Sequence, residues 1–405
     1  MKGNLLVLTY WSYKDALVQT YTLPYVRVMK KYCSGKIYLV TLEQPQLKLS
    51  REEKQKQTEL LKAEGIVPVF LNYQPFGAKA ALGWMLKLTR LWWLTMTCGI
   101  KGIHTWCTPA GMIGYLLSKS TGRPLVADSF EPHAEPMVET GEWSAKSKAF
   151  KTLFGYERKL AHRARAIIAL TESMKNYARE KYAMPDKPYY IKPALIDFDK
   201  LPVFTTEMRE EFRKANNLNG KLVCVMAGKT GGLYYEQEVF DFFATCVKKW
   251  GNQFHAVLLS PTPEKQLAEL ARKAEFPASQ MTIKFVPQHE VFVWMNAADF
   301  AFNPCRPVPS RRHGTSIKNS EYWACGLPIV LARDISDDSD FIENNKIGAV
   351  LDNMNSSSYV KALQTIDQLL DNDSKVLRAK INTLARNTRS MSIADEIYRE
   401  IYGKL

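Results

Sequence analysis

The sequence predicts an α/β protein built from two Rossmann-like, doubly wound parallel-sheet domains that face each other across a cleft. Three observations carry this. Short runs rich in Val, Ile and Leu alternate with longer amphipathic stretches, as buried parallel strands alternate with the helices that cover them. The alternation runs through twice, with a polar region around 198–220 between the two series. A length of 405 residues lets each of two domains bury its own core.

In the first series the strands are expected at 4–10, 36–41, 66–71, 102–106, 124–128, 166–170 and 188–192. Helical patterns fall near 22–33, 50–64, 79–97, 109–120, 145–163 and 172–182. In the second, strands are expected near 221–228, 253–260, 281–286, 298–303, 328–333 and 347–351, again alternating with helices. The tail 373–405 reads as consecutive helices. These assignments give an N-terminal domain over 1–200 and a C-terminal domain over 201–386.

The formal charge of +14 implies an anionic partner: nucleic acid, an anionic membrane surface or phosphorylated substrates. No zinc finger, RNP-type aromatic motif or basic tail is present and the charge is dispersed, so nucleic acid is not the expected partner. The seven cysteines are odd in number and form no Cys-x-x-Cys pair. They read as small buried hydrophobes in a reducing compartment. Leu5 to Tyr10 reads as a first strand rather than a signal peptide. No run reaches the roughly 18 uncharged apolar residues of a spanning helix. A cytoplasmic protein is expected.

Residues 306–330 are the most informative stretch, reading as loop, short helix and buried strand. Thr315 or Ser316 can cap the helix, and Gly326 with Pro328 ends it. Arg306, Arg311, Arg312, His313 and Lys318 crowd just before the helix or in its first turn, where acids are the ordinary complement to the dipole. Such a helix start suits a phosphate-bearing ligand, although a basic, solvated surface helix has the same composition. Glu321 follows Lys318 by three residues and shares its helix face. A carboxylate there can accept hydrogen bonds from sugar hydroxyls. The loop Met226-Ala-Gly-Lys-Thr-Gly-Gly-Leu-Tyr-Tyr235 also leaves a strand for a helix, with Gly228 allowing close approach and Lys229 supplying charge. It is neither Gly-x-Gly-x-x-Gly nor a complete Walker loop, since Val223 stands where the first Walker glycine belongs.

At these residues the chain resembles the retaining, nucleotide-sugar-dependent glycosyltransferases of the GT-B fold, of the group 1 (glycosyltransferase family 4) type. Lys318-x-x-Glu-Tyr-Trp-Ala-Cys-Gly-Leu-Pro-Ile-Val is similar to that family's Lys-x-x-Glu-Tyr-x-Ala-x-Gly-x-Pro-Val-Val signature. Asp299 to Pro304 resembles the strand before it, and Leu222 to Lys229 the strand and turn below the donor phosphates. Val126 to His133 is similar to an acceptor-side loop, and Glu157 to Ser173 and Ile191 to Asp197 to the units that follow. The resemblance implies that a final helix, 387–405, crosses back onto the N-terminal domain. In two places the chain departs from the pattern. His313, followed by Gly314, occupies the place of the first glutamate, which in the family contacts the donor sugar, and Tyr234 that of a lysine.

From this resemblance and the residues together, Gly228, Lys229, Arg311, Arg312, His313, Gly314, Thr315, Ser316, Lys318 and Glu321 are the expected donor site, with Lys318 and Glu321 central to catalysis. Fixed cations and helix N–H groups can stabilise a departing diphosphate without a metal. No Asp-x-Asp ends a strand, and Asp337-Asp338 sits at a helix start, so neither metal nor cofactor is expected. His133 is the N-terminal candidate, as a hydrogen-bond donor or proton relay near the reacting centre. The acids Glu131, Glu135, Glu139 and Glu142 face an acceptor or are solvated, while His104, His162, His255 and His289 read as structural.

Residues 79–97 mix Trp and Leu with Lys79, Lys87 and Arg90. They fit best a core helix with a basic edge in water, and nearly as well a helix lying on an anionic bilayer. The expected activity is transfer of a sugar, a hexose or a relative, from a nucleotide-diphosphate sugar to a glycan or lipid-linked acceptor in cell-surface polysaccharide synthesis, on the inner face of the membrane. A nucleotide-sugar epimerase of the same fold and a non-catalytic sugar-nucleotide binding protein are the alternatives.

Overall fold

The computed structural model describes residues 1–75, 77, 80–371 and 374–403, with Gln288 by its backbone only. Lys79 and the tail positions 373, 404 and 405 lie outside the described residues. The chain forms two units, Met1–Leu195 with Met391–Leu405, and Ile196–Ser390.

The first unit holds β1 (Asn4–Leu8), β2 (Ile37–Glu43), β3 (Ile66–Asn72), β4 (Ile100–Trp106), β5 (Leu125–Phe130), β6 (Ala166–Ala169) and β7 (Tyr189–Ile191). Its helices are α1 (Leu23–Lys30), α2 (Arg51–Ala63), α3 (Ala81–Thr97), α4 (Cys107–Thr121), α5 (Ala134–Glu139), α6 (Lys148–Arg163) and α7 (Ser173–Tyr182). The strands pair in parallel in the order β3-β2-β1-β4-β5-β6-β7. Two apolar layers sandwich the sheet, one under α1 and α2 and one under α3, α4 and α6.

The second unit comprises α8 (Thr206–Ala215), β8 (Leu222–Ala227), α9 (Gln237–Trp250), β9 (Phe254–Leu259), α10 (Glu264–Lys273), β10 (Met281–Lys284), α11 (Gln288–Ala297) and β11 (Phe300–Asn303). It continues through α12 (Ile317–Ala324), β12 (Ile329–Ala332), α13 (Asp338–Asn345), β13 (Gly348–Leu351), α14 (Ser356–Leu370) and α15 (Ser374–Arg389). Its strands are also parallel, ordered β10-β9-β8-β11-β12-β13. Both sheets therefore reverse direction beside their first strand, the Rossmann arrangement whose switch point opens a ligand crevice.

Every expected strand is present, within a few residues of its expected ends. Three features differ from expectation. The polar stretch expected as a linker contains α8, capped by the Thr205 hydroxyl, which accepts from Met208 N–H at 3.3 Å. Arg209 and Arg213 of that helix pair with Asp299 at 2.5 and 3.2 Å. A six-residue helix, α5, follows β5 where no helix was expected. A π-helical turn, Val18–Thr22, precedes α1.

The last helix, α16 (Ser392–Gly403), belongs to the first unit and packs against α1. Tyr398 donates to Asp128 Oδ2 at 2.7 Å, and the Tyr402 hydroxyl meets His104 Nδ1 at 2.6 Å. The amino group of Met1 donates to the carbonyls of Tyr32 and Tyr402. Beneath them the fully buried Lys192 lies 3.1 Å from Asp128 Oδ1 and 3.7 Å from the Tyr25 ring centre. Burial alone would raise the Asp128 carboxyl, but Lys192, His104 and Tyr398 hold it below the usual carboxylate range. Among the described residues no helix is long and apolar enough to cross a membrane.

Candidate functional site

In the second unit the switch point lies between β8 and β11, and the loops leaving these strands are the two singled out in the sequence. The β8 loop turns at Gly228, whose φ of 108° and amide bond to Leu259 O at 2.8 Å bring its backbone round sharply. A Cβ at Gly228 would stand 2.7 Å from Lys318 Nζ, so the lysine of α12 lies directly on this turn. Lys318 Nζ also sits 3.7 Å from the centre of the Tyr234 ring. One helical turn on, the buried Tyr322 hydroxyl accepts from Ala227 N–H at 2.7 Å. The β8 turn and the α12 start are thereby brought together, as the sequence pairing required. Lys229 is exposed at the turn's tip, and Glu321 is buried on the Lys318 side of α12.

The loop after β11 crosses back to the β8 loop before reaching α12. Tyr234 and Cys305 form an antiparallel bridge, and Arg306 donates to Tyr234 O at 3.3 Å with its guanidinium 5.2 Å from the Tyr235 ring. A 3₁₀ turn, Pro309–His313, then presents Arg311, Arg312 and His313 in succession. Arg311 O accepts from Ser336 N–H at 3.0 Å. Arg312 pairs with Asp334 at 3.3 Å and Asp340 at 2.6 Å, so two carboxylates already share its charge. His313 is half-buried, and burial together with Arg312 pushes its imidazole down to about 4. It is a neutral ring at neutral pH, able to donate one hydrogen bond and accept one.

Gly314, Thr315 and Ser316 lead into α12. The expected hydroxyl cap is not made there. Ser316 occupies the cap position, but its hydroxyl accepts from Asn303 Nδ2 at 3.1 Å, a buried amide at the end of β11 that competes for it. Asn303 also donates to Asn319 Oδ1 at 2.6 Å, Asn319 to Asp338 Oδ2 at 2.8 Å, and Arg389 to Asp338 Oδ1 at 2.8 Å. This buried chain fixes the first turn of α12 from below, and apart from Ser316 its four members were not singled out for the site from the sequence. Their separation along the chain leaves no local pattern that could reveal them. The helix ends as expected at Gly326, with φ of 71° and Leu327 N–H donating to Tyr322 O at 3.0 Å.

In the first unit His133 stands at the start of α5, after the carboxyl end of β5. Its Nδ1 lies 2.9 Å from Glu131 O, a pure acceptor, and 3.3 Å from Thr108 Oγ1. Nδ1 therefore carries the proton and Nε2 keeps a lone pair, so in the neutral ring the atom left for a substrate accepts rather than donates. The backbone at this point is held by Glu157, another residue the sequence did not single out for the site. Its Oε1 accepts from His133 N–H at 2.7 Å and Ala134 N–H at 3.0 Å, and its Oε2 from Tyr182 at 2.9 Å. Burial, with Glu135 nearby, pushes the Glu157 carboxyl up to about 8. Cys107 and Ser129, at the ends of β4 and β5, take φ of 58° and 49°, strain of the kind that gathers at working strand ends. Glu135 accepts from Tyr177, while the other three histidines are tied to Tyr182 O, Thr282 or, for the exposed His289, Glu290. Among the described residues no three His, Cys, Asp or Glu side chains are grouped to hold a metal ion.

Residues 224–371 match the family model of the glycosyl transferases, group 1. No curated protein matches the chain in sequence. Among solved structures, HepE of Anabaena in complex with UDP and glucose superposes with a TM-score of 0.72 at 15% identity over 100% of both chains. A glycosyltransferase from Rickettsia africae gives 0.70 at 13% over 100% of this chain and 98% of the other. WaaG, a glycosyltransferase of lipopolysaccharide biosynthesis, gives 0.69 at 12% over 98% and 99%. The fold is GT-B, two Rossmann-like domains in one chain.

Proposed function

We propose that the protein is a retaining, metal-independent glycosyltransferase that moves a hexose or related sugar from a nucleotide-diphosphate sugar to a glycan or lipid-linked acceptor in cell-surface polysaccharide synthesis, in the cytoplasm. The observation that carries this reading is the seat of Lys318 against Gly228, which makes one cationic cradle of the β8 turn and the α12 start. The group 1 match over the same region and the UDP and UDP-glucose held by HepE support a nucleotide-sugar donor.

In this reading Lys318, Lys229 and Arg311 take the diphosphate, with Arg312 in support through its loop. Glu321 accepts from the ribose and His313 meets the sugar. As the bond from the anomeric carbon to the diphosphate breaks, negative charge grows on the leaving oxygen, where fixed cations stabilise it most. That oxygen takes the acceptor's hydroxyl proton while the new glycosidic bond forms on the same face of the sugar. On the first unit, His133 Nε2 in this reading accepts a hydrogen bond from a substrate hydroxyl.

Calorimetric titration with UDP-, GDP- and ADP-sugars in the presence of EDTA tests the reading. One of them should bind, and Lys318→Ala and Glu321→Ala should each weaken it by roughly 1.5–3 kcal/mol, the range for hydrogen bonds to charged groups. Binding that needs a restored divalent ion, or both variants binding as tightly as the parent, overturns the assignment.

A further inference from the structure

We propose that the outer surface of α3 and α4, with the groove between α4 and α6, is a docking face for an anionic lipid bilayer. The first observation is exposure. Leu82, Met85, Leu86, Trp93 and Met96 of α3 all lie open to solvent, Leu82 at 65% and Trp93 at 58%, and Leu116 of α4 joins them. These six are half of the twelve large hydrophobic side chains exposed among the described residues. At 100° per residue positions 82, 85, 86, 93 and 96 fall on one side of the helix, interrupted only by Thr89. Trp84, Leu91 and Thr95 point the other way and are buried, so the helix already has its core face and carries a second apolar stripe beside it. A stripe of this size facing water needs an occupant.

The second observation is charge. No Asp or Glu occurs between Glu64 and Asp128, a stretch that holds Lys79, Lys87, Arg90, Lys101, Lys119 and Arg123. α4 packs against both α3 and α6, so the three helices form one layer. On α6 the exposed Arg158, Lys159, His162 and Arg163, with Tyr115 of α4, line a groove of about 680 Å³, while the one acid of that helix, Glu157, is buried. Aromatic and basic side chains around a shallow groove suit lipid phosphate, and the stripe next to it suits acyl chains. A second copy of the chain fits worse, because a two-fold interface would set this acid-free surface against itself.

The proposal rests on the proposed function only for its purpose, the delivery of a lipid-linked acceptor, and the two can fail separately. The full chain is sedimented at low salt with phosphatidylcholine vesicles and with vesicles also containing phosphatidylglycerol. The parent should pellet with the anionic vesicles alone, and Leu86→Ser/Trp93→Ser and Arg158→Glu/Lys159→Glu should each lower the bound fraction about tenfold or more. Nucleotide-sugar binding and the unfolding midpoint, measured without vesicles, should be unchanged in both variants. A parent that stays in the supernatant, pellets equally with both vesicles, or is matched by both variants overturns the proposal. So does a dimer that the α3 variant dissociates without vesicle binding. Loss of donor binding in the parent would instead sink the proposed function and leave this face standing.

Discussion

Lys318 Nζ stands 3.7 Å from the centre of the Tyr234 ring and against the α-carbon of Gly228. In the family that the chain resembles, position 234 would carry a lysine. Two ammonium groups so close would repel each other until a phosphate arrived. A ring face attracts the ammonium, and so Lys318 is held over the turn in the absence of ligand.

Replacing that ring should therefore act through Lys318. Tyr234→Phe keeps the face and should leave UDP-sugar affinity close to that of the parent. Tyr234→Ala should weaken it by about 0.5–2 kcal/mol, the range for a cation–π contact. Calorimetric titration of the three proteins decides, and equal losses for Phe and Ala would point to the hydroxyl instead.

The buried pair of Arg389 and Asp338, 2.8 Å apart, supports the α12 start through Asn319 and Asn303. Arg389→Ala leaves the Asp338 carboxylate buried without its partner, a change that costs about 3–5 kcal/mol in comparable pairs. Urea unfolding should register that loss, and Asp338→Asn in the same background should recover part of it. If the single variant unfolds at the parent's midpoint, the chain from Arg389 to Ser316 does not hold the helix.

The strands were legible because parallel strands covered on both faces read as unbroken apolar runs, such as Val223 to Ala227 or Ile329 to Ala332. The pairing of Gly228 with Lys318 was legible too, since each loop follows a strand that the alternation places at the same sheet edge. The α8 helix was not, because Arg209 and Arg213 look like solvated charges until Asp299 is seen beside them. Ser316 reads as a helix cap from sequence, and only the position of Asn303 redirects its hydroxyl. Glu157 looks like any surface glutamate of a basic helix. Its burial follows from α5 and Tyr182 closing over it, which no local pattern encodes.

That burial makes Glu157 a source of pH dependence. Its carboxyl ionises near 8 when folded, against 4.5 for the free side chain. Between those values the folded chain holds a proton that the unfolded chain has lost. The contribution is complete below the lower value and disappears as pH rises through the upper one, at up to about 1.4 kcal/mol per pH unit. Glu157→Gln keeps an acceptor for His133 and Ala134 without ionising. Its unfolding free energy should fall less between about pH 5 and 8 than the parent's. Parallel profiles for the two proteins would mean that Glu157 is ionised throughout.

His313 is where donor choice should be decided, because an imidazole stands where the resembled family has a carboxylate. A carboxylate only accepts hydrogen bonds from sugar hydroxyls, whereas a neutral imidazole donates one and accepts one. Burial and the adjacent Arg312 keep the ring neutral down to about pH 4. At neutral pH it therefore carries no charge that an uncharged sugar could not satisfy. The donor should present an acceptor there, such as an N-acetyl carbonyl or a carboxylate, rather than hydroxyls alone. His313→Glu exchanges the donor for a second acceptor and adds a negative charge. It should lower affinity for that sugar nucleotide relative to one with only hydroxyls, by about 1–3 kcal/mol for a buried group left unpaired. Free UDP or GDP, which lacks the sugar, should bind nearly as before. Competition titrations across a panel of nucleotide sugars give the ranking for both proteins, and an unchanged order would show that His313 does not read the sugar.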